Sequence, residues 1–153
     1  MPTFRHQLTP VSNPVPAIIN IPGKELSGSA WVACFPESAD VEDLDEPFRS
    51  NVKRFLAALA AAGASVSIAS TYRPKERAYL MHYSAAIAHA RIVPEKVPPM
   101  DGVRIEWVHP TVGASVKAAA AMTKAYKVVF PPALESNHTR RRAIDMRIDG
   151  IMG

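Results

Sequence analysis

The sequence predicts an α+β domain, with helices packed on a small antiparallel sheet. Three segments, at about 47–62, 74–90 and 111–126, carry apolar residues at helical spacing. One segment, Ala64 to Ile68, alternates apolar and polar residues as a half-buried strand does. The rest is too short and too rich in proline, with 14 in the chain, to supply long strands. At 153 residues, 48% hydrophobic and 21% charged, the chain has the length of one domain and the composition of an ordered one.

Residues 1–46 read as a proline-rich N-terminal arm and loop, and residues 47–153 as the domain proper. Pro2, Pro10, Pro14, Pro16 and Pro22 impose an extended arm with room for one short strand, Ala17 to Ile21. Ser29 to Phe35 predicts a second short strand, in which Cys34 serves as a small buried hydrophobe. As the single cysteine, Cys34 excludes an internal disulfide and a Cys-based zinc knuckle. A metal site here has to be built from histidines and carboxylates. Pro36 to Glu46 is a loop bearing Glu37, Asp40, Glu42, Asp43, Asp45 and Glu46. It reads as a solvated acidic loop in preference to a calcium or substrate site.

The first helix starts at Pro47, whose missing N–H costs nothing in a first turn. Phe48, Val52, Phe55, Leu56 and Leu59 form its inner face, with Arg49, Lys53 and Arg54 opposite. Gly63 stands where a left-handed C-terminal cap belongs. The alternating strand follows and opens into Ser70-Thr71-Tyr72-Arg73-Pro74. A second helix, to about Ala90, has a stripe of Ala78, Met81, Ala85 and Ala88, widened by Leu80, Ser84 and Ile87. His82 and His89 share one of its faces but lack the i, i+4 spacing of a helical zinc pair, so they read as surface or packing histidines.

Pro94, Pro98, Pro99 and Gly102 mark a loop, and Arg104 to His109 a short extended segment with Trp107 as core. The third helix, Thr111 to Tyr126, is predicted to face inward with Val112, Val116, Ala119, Ala120 and Thr123. Val128 to Phe130 predicts a last short strand before Pro131-Pro132.

The net charge of +4 and pI near 9.4 suit anionic surfaces. Nucleic acid is the weaker reading. Arg140-Arg141-Arg142 is a small basic patch without interleaved aromatics or a known binding motif. No run of about 18 apolar residues predicts a transmembrane segment. Met1 to Gln7 lacks the charged-then-apolar pattern of a secretory signal.

Two motifs carry chemistry. Ser136-Asn137-His138-Thr139-Arg140-Arg141-Arg142-Ala143-Ile144-Asp145 sets an imidazole and a carboxylate seven positions apart, beside the small Ala143. Upstream, Arg73 stands where a strand opens into a loop, a common place for functional side chains. The downstream stretch resembles the Ser-x-His-x-x-Gly-x-Ala-x-Asp signature of the zinc D-Ala-D-Ala peptidases, the M15 or hedgehog/DD-peptidase group. Ser70 to Arg73 resembles that family's Ser-x-Tyr-Arg segment, and the two occur in the family's order.

The resemblance implies a hedgehog/DD-peptidase-like fold and a zinc-dependent peptidase acting on peptidoglycan stem peptides in the periplasm or cell wall. It implies that His138 and Asp145 ligate Zn2+, and that Arg73 steadies the oxyanion or a substrate carboxylate. Tyr72 and Ser136 become supporting or substrate-binding candidates by position. A non-catalytic cell-wall-binding module of the same fold is the alternative.

A shared metal requires a bend between His138 and Asp145, because positions an odd number apart face opposite sides of one strand. The expectation is His138 in a loop, a turn through Arg140 to Arg142, and a strand from Ala143 on which Asp145 points inward. Ile144 and Met146 then pack on the other side. The family's glycine is Arg141 here, which predicts a strained or altered turn. The family's third ligand and general base follow tens of residues later, whereas Gly153 lies eight residues after Asp145. The expectation is therefore that the natural chain continues. Glu106-Trp107-Val108-His109 has suitable letters but precedes the motif and reads as structural.

Overall fold

A computed structural model describes residues 23–151. The strand expected at Ala17 to Ile21 lies outside the described residues. The strands are β1 (Glu25–Leu26), β2 (Ser65–Ser70), β3 (Ile105–Glu106) and β4 (Asp145–Asp149). The helices are α1 (Phe48–Ala61), α2 (Lys75–Ala88) and α3 (Val112–Tyr126), joined by short 3-10 turns. Among the described residues this is a mixed α and β chain with two two-stranded sheets. β1 pairs with β3 in parallel, and β2 pairs with β4 antiparallel. The chain divides into two compact units: residues 23–35 with Tyr79–Pro132, and Pro36–Ala78 with residues 133–151. α2 begins in the second and continues in the first.

In the first unit, Tyr79, Leu80, Met81 and Ile87 of α2 meet Val103, Ile105 and Trp107 around β3, and Ala119, Met122 and Tyr126 of α3. Trp107 is core. Its Nε1 donates to the Tyr79 hydroxyl at 3.3 Å, which donates to the Pro98 carbonyl at 2.7 Å. Buried aromatic polar groups are thereby paired.

Four expectations in this unit are corrected. Ser29–Ala33 is a 3-10 helix, not a strand. The Trp31 indole turns back to donate to the Leu26 carbonyl at 3.1 Å, which a continuing strand would not allow. Cys34 is half-buried, and burial pushes its thiol pKa up, with the Glu25 charge adding to it. The buried face of α3 is Ser115, Ala119, Met122, Thr123 and Tyr126, while Val112, Val116 and Ala120 face solvent. Two polar side chains go inside because the helix backbone satisfies them: Ser115 Oγ donates to the Thr111 carbonyl and Thr123 Oγ1 to that of Ala119. Finally, Val128 to Phe130 forms no strand. The chain leaves α3 through Lys127 in the left-handed region, at φ 63.

In the second unit, α1 buries Val52 and Leu59, but leaves Phe55 of the expected inner face exposed. Its C-terminus closes as expected. Gly63 has φ +82, its N–H donates to the Ala60 carbonyl, and the Ala64 N–H reaches the Leu59 carbonyl, both at 3.0 Å. These are the paired bonds of a Schellman cap. β2 then alternates, with Val66 and Ile68 half-buried opposite Ile148 and Met146 of β4.

Candidate functional site

The second unit brings both chemical motifs together. β2 ends at Ser70, and the chain crosses Thr71 to Pro74 before α2. The Arg73 backbone N–H donates to the His138 carbonyl at 3.0 Å. Thr71 anchors the crossing: its N–H donates to the Ser38 carbonyl at 2.7 Å and its hydroxyl to the Asp40 carbonyl at 2.8 Å.

His138 sits in a turn that Ser136 organises. Ser136 Oγ accepts from the His138 N–H at 3.2 Å, and the Ser136 carbonyl accepts from the N–H groups of Thr139 and Arg140, both at 3.1 Å. Thr139 is buried and returns its hydroxyl to the Ser136 carbonyl at 3.0 Å. The turn reverses through Arg141, whose φ of 64 lies in the left-handed region that favours glycine. The side chain is held on three groups. Its guanidinium carbon lies 3.8 Å from the centroid of the Tyr72 ring, Nη1 donates to the Asp43 carbonyl at 3.0 Å, and the Asp43 carboxylate stands at 3.9 Å. The arginine's own contacts offset the backbone strain expected of it.

The bend predicted between His138 and Asp145 is therefore present, but the strand begins at Asp145, not Ala143. The ladder explains why. Ile68 pairs with Met146 and Ser70 with Asp145, so Ala69 is an extra residue on β2, a bulge that ends the pairing there. Asp145 does not point inward. Met146 and Ile148 take the half-buried side against Ile68 and Val66, which sends Asp145, Arg147 and Asp149 to solvent. Ser67, Ile68, Ala69, Met146 and Arg147 line a shallow depression beside it.

His138 Nε2 stands 3.6 Å from Asp145 Oδ2, with the imidazole 23% and the carboxylate 59% exposed. That is beyond the roughly 2.7–3.2 Å of an N–H···O hydrogen bond. It matches the edge, about 3.3–3.6 Å, between two donors on a tetrahedral zinc at about 2.0–2.2 Å. His138 Nδ1 is buried and has no hydrogen-bond partner among the described residues. The ring is thus unsatisfied at one nitrogen and unbonded at the other. Two donors fit half of a tetrahedral site. Among the described residues no group of three or more His, Cys, Asp or Glu side chains is placed to hold a metal ion.

The arginine in the loop has a partner that its motif did not indicate. Arg73 Nε donates to Glu37 Oε2 at 2.6 Å, and Arg77 Nε lies 4.0 Å from the same oxygen. Burial alone would raise the Glu37 pKa. The hydrogen bond and charge of Arg73, with help from Ser70 and Arg77, outweigh it and hold the carboxyl below its ordinary value.

The acidic stretch is largely exposed, as expected of a solvated loop, with Glu37 and Asp43 half-buried beside arginines. Glu37 binds Arg73, Asp43 meets Arg141, Glu42 pairs with Lys53, and Glu46 with Arg49. Its six carboxylates were visible in the sequence, but their partners lie up to 98 positions away. Compared with known proteins, the chain matches no family model, no curated protein and no solved structure.

Proposed function

We propose that this chain has a hedgehog/DD-peptidase-like fold and carries part of the site of a zinc-dependent peptidoglycan peptidase, of D-Ala-D-Ala carboxypeptidase or endopeptidase type. The observation that carries this reading is the unbonded 3.6 Å separation of His138 Nε2 and Asp145 Oδ2 across a turn with left-handed Arg141. His138 and Asp145 would hold the metal, with a third donor from outside the described residues. Held there, a zinc ion would supply a water of near-neutral pKa and polarisation of a scissile carbonyl.

The chain's own residues would do the rest. Ser136 fixes the His138 turn through its hydroxyl acceptor. Tyr72 supports Arg141 from below, keeping the reversal that delivers Asp145. Arg73 spends its Nε on Glu37, and the rest of its guanidinium would have to meet a substrate carboxylate or a developing oxyanion. The depression beside Asp145 leaves room for a stem peptide.

A second reading, a non-catalytic cell-wall-binding module of the same fold, draws on one observation. Arg73 is already paired at 2.6 Å, as an ordinary structural arginine would be. Cobalt titration of the natural full-length protein, followed by visible absorption, together with digestion of purified muropeptides, separates the two. The peptidase reading expects a tetrahedral cobalt spectrum that His138→Ala and Asp145→Ala abolish, and cleavage that depends on both. Muropeptide binding without metal uptake or cleavage supports the module and sinks the enzyme.

A further inference from the structure

Past α3 the first unit presents Val129 and Phe130, each 67% exposed. Two imidazoles hold this segment in place. His82 Nδ1 is 2.7 Å from the Pro132 carbonyl, and His89 Nε2 is 2.7 Å from the Val129 carbonyl. Both nitrogens donate, because a carbonyl can only accept. The His89 ring also stacks on Phe130, with centroids 6.3 Å apart. Pro131 and Pro132 lack N–H donors, so the tip is a poor partner for strand pairing. The exposed pair is therefore a tip pinned at two carbonyls. His82 of α2 and His89, just past its end, find their role here.

The exposed cations near the tip in sequence form no ion pair among the described residues, whereas Glu135, the acid nearest Phe130 in sequence, lies 3.4 Å from Arg140. From Trp107 to Pro132 the chain carries Lys117, Lys124 and Lys127 and no carboxylate. From Tyr79 to Pro94 it carries Arg91 and no carboxylate, with Glu95 the next residue. Lys124, Lys127 and Arg91 are exposed, and Val93, two residues beyond Arg91, is 53% exposed. Bare apolar side chains beside unopposed cations suit a surface with a negative skin and an apolar interior.

We propose that this tip is a contact element for an anionic lipid bilayer. Val129 and Phe130 enter the boundary between headgroups and acyl chains, and Lys124, Lys127 and Arg91 pair with lipid phosphates. Nucleic acid fits less well, since Phe130 is the one aromatic of the exposed pair and His89 already stacks on it. A second copy of the same tip would bring like charges together. The inference uses only residues of the first unit, so it stands or falls separately from the peptidase reading.

The test is sedimentation of the full chain with phosphatidylcholine vesicles, with and without about a third of phosphatidylglycerol, at low salt. Binding is expected only to the anionic vesicles. Phe130→Ser should weaken it about tenfold, and Lys124→Gln and Lys127→Gln about fivefold each. Phe130→Trp should keep the binding and show a blue-shifted emission that brominated lipid quenches. This second variant decides the matter if Phe130→Ser alters the circular dichroism. Equal binding to neutral and anionic vesicles, or none to either, overturns the proposal. So does binding that Phe130→Ser leaves intact, or that DNA competes away without any emission shift in Phe130→Trp.

Discussion

The backbone N–H of Arg73 donates to the carbonyl of His138 at 3.0 Å, across 65 positions of sequence. This bond ties the loop after β2 to the turn before β4, so the two motifs occupy one place. It is a backbone bond, and side-chain changes at either position leave it standing. Variants at Arg73 and Glu37 therefore test the ion pair without dismantling the turn.

Glu37→Gln should cost about 1–2 kcal/mol, the range for losing the charge from a hydrogen-bonded and partly buried pair. Its pH dependence is the sharper check. The folded Glu37 carboxyl titrates below its ordinary 4.5. The stability it contributes is thus complete above that value and is lost as pH falls through the lower folded one. Urea denaturation at several acidic pH values should show a steeper loss in the native protein than in Glu37→Gln. Parallel curves would count against the pairing.

Arg141 allows strain and contacts to be separated. Arg141→Ala keeps the left-handed backbone and loses the Tyr72 and Asp43 contacts. Arg141→Gly loses the same contacts but relieves a backbone cost of roughly 1 kcal/mol. The glycine variant should be the more stable of the two by about that amount. Equal denaturation midpoints would show that the turn is not left-handed in solution.

Ser136→Ala removes the acceptor for the His138 N–H. The fold should lose about 0.5–1.5 kcal/mol; on the proposed zinc reading, metal affinity should also fall about tenfold because the imidazole is no longer oriented. Cobalt titration beside thermal denaturation reads both. Unchanged affinity with reduced stability would make Ser136 structural only.

His109 offers a check in the first unit. Its Nε2 lies 2.9 Å from the hydroxyl of buried Ser27, and burial lowers its pKa, against the Ser27 bond and the Glu106 charge. A neutral imidazole held this way contributes stability that is complete above the ordinary 6.5 and is lost as pH falls from there through the lower folded value. His109→Gln should flatten the stability profile over that window while costing about 1 kcal/mol at neutral pH. A wild-type profile already flat below 6.5 would contradict the assignment.

Much of the local structure was legible in the sequence. The α1 pattern, its glycine cap and the alternation of β2 are all written within a few residues of one another, where helical spacing, a left-handed Cα and the pleat operate. The expectation of a bend between His138 and Asp145 followed from strand parity applied to a shared metal, and that of an unusual backbone at Arg141 from the glycine in the signature the stretch resembles. The inner face of α3 holds Ala119 and Thr123 as expected, but also Ser115, which looks polar yet returns its hydroxyl to the helix.

The tertiary structure decided what depends on distant partners. Glu37 reaches Arg73 across 36 positions, Asp43 reaches Arg141 across 98, and His82 reaches Pro132 across 50. No periodicity encodes such pairs, because their geometry exists only after the segments have packed. The solvent-facing side of Asp145 was decided the same way, by Met146 and Ile148 taking the half-buried face against β2. The sequence by itself determined which residues could do chemistry. Packing determined which of them meet: His138 with Asp145 across a turn, and Arg73 with a carboxylate of the chain's own acidic loop.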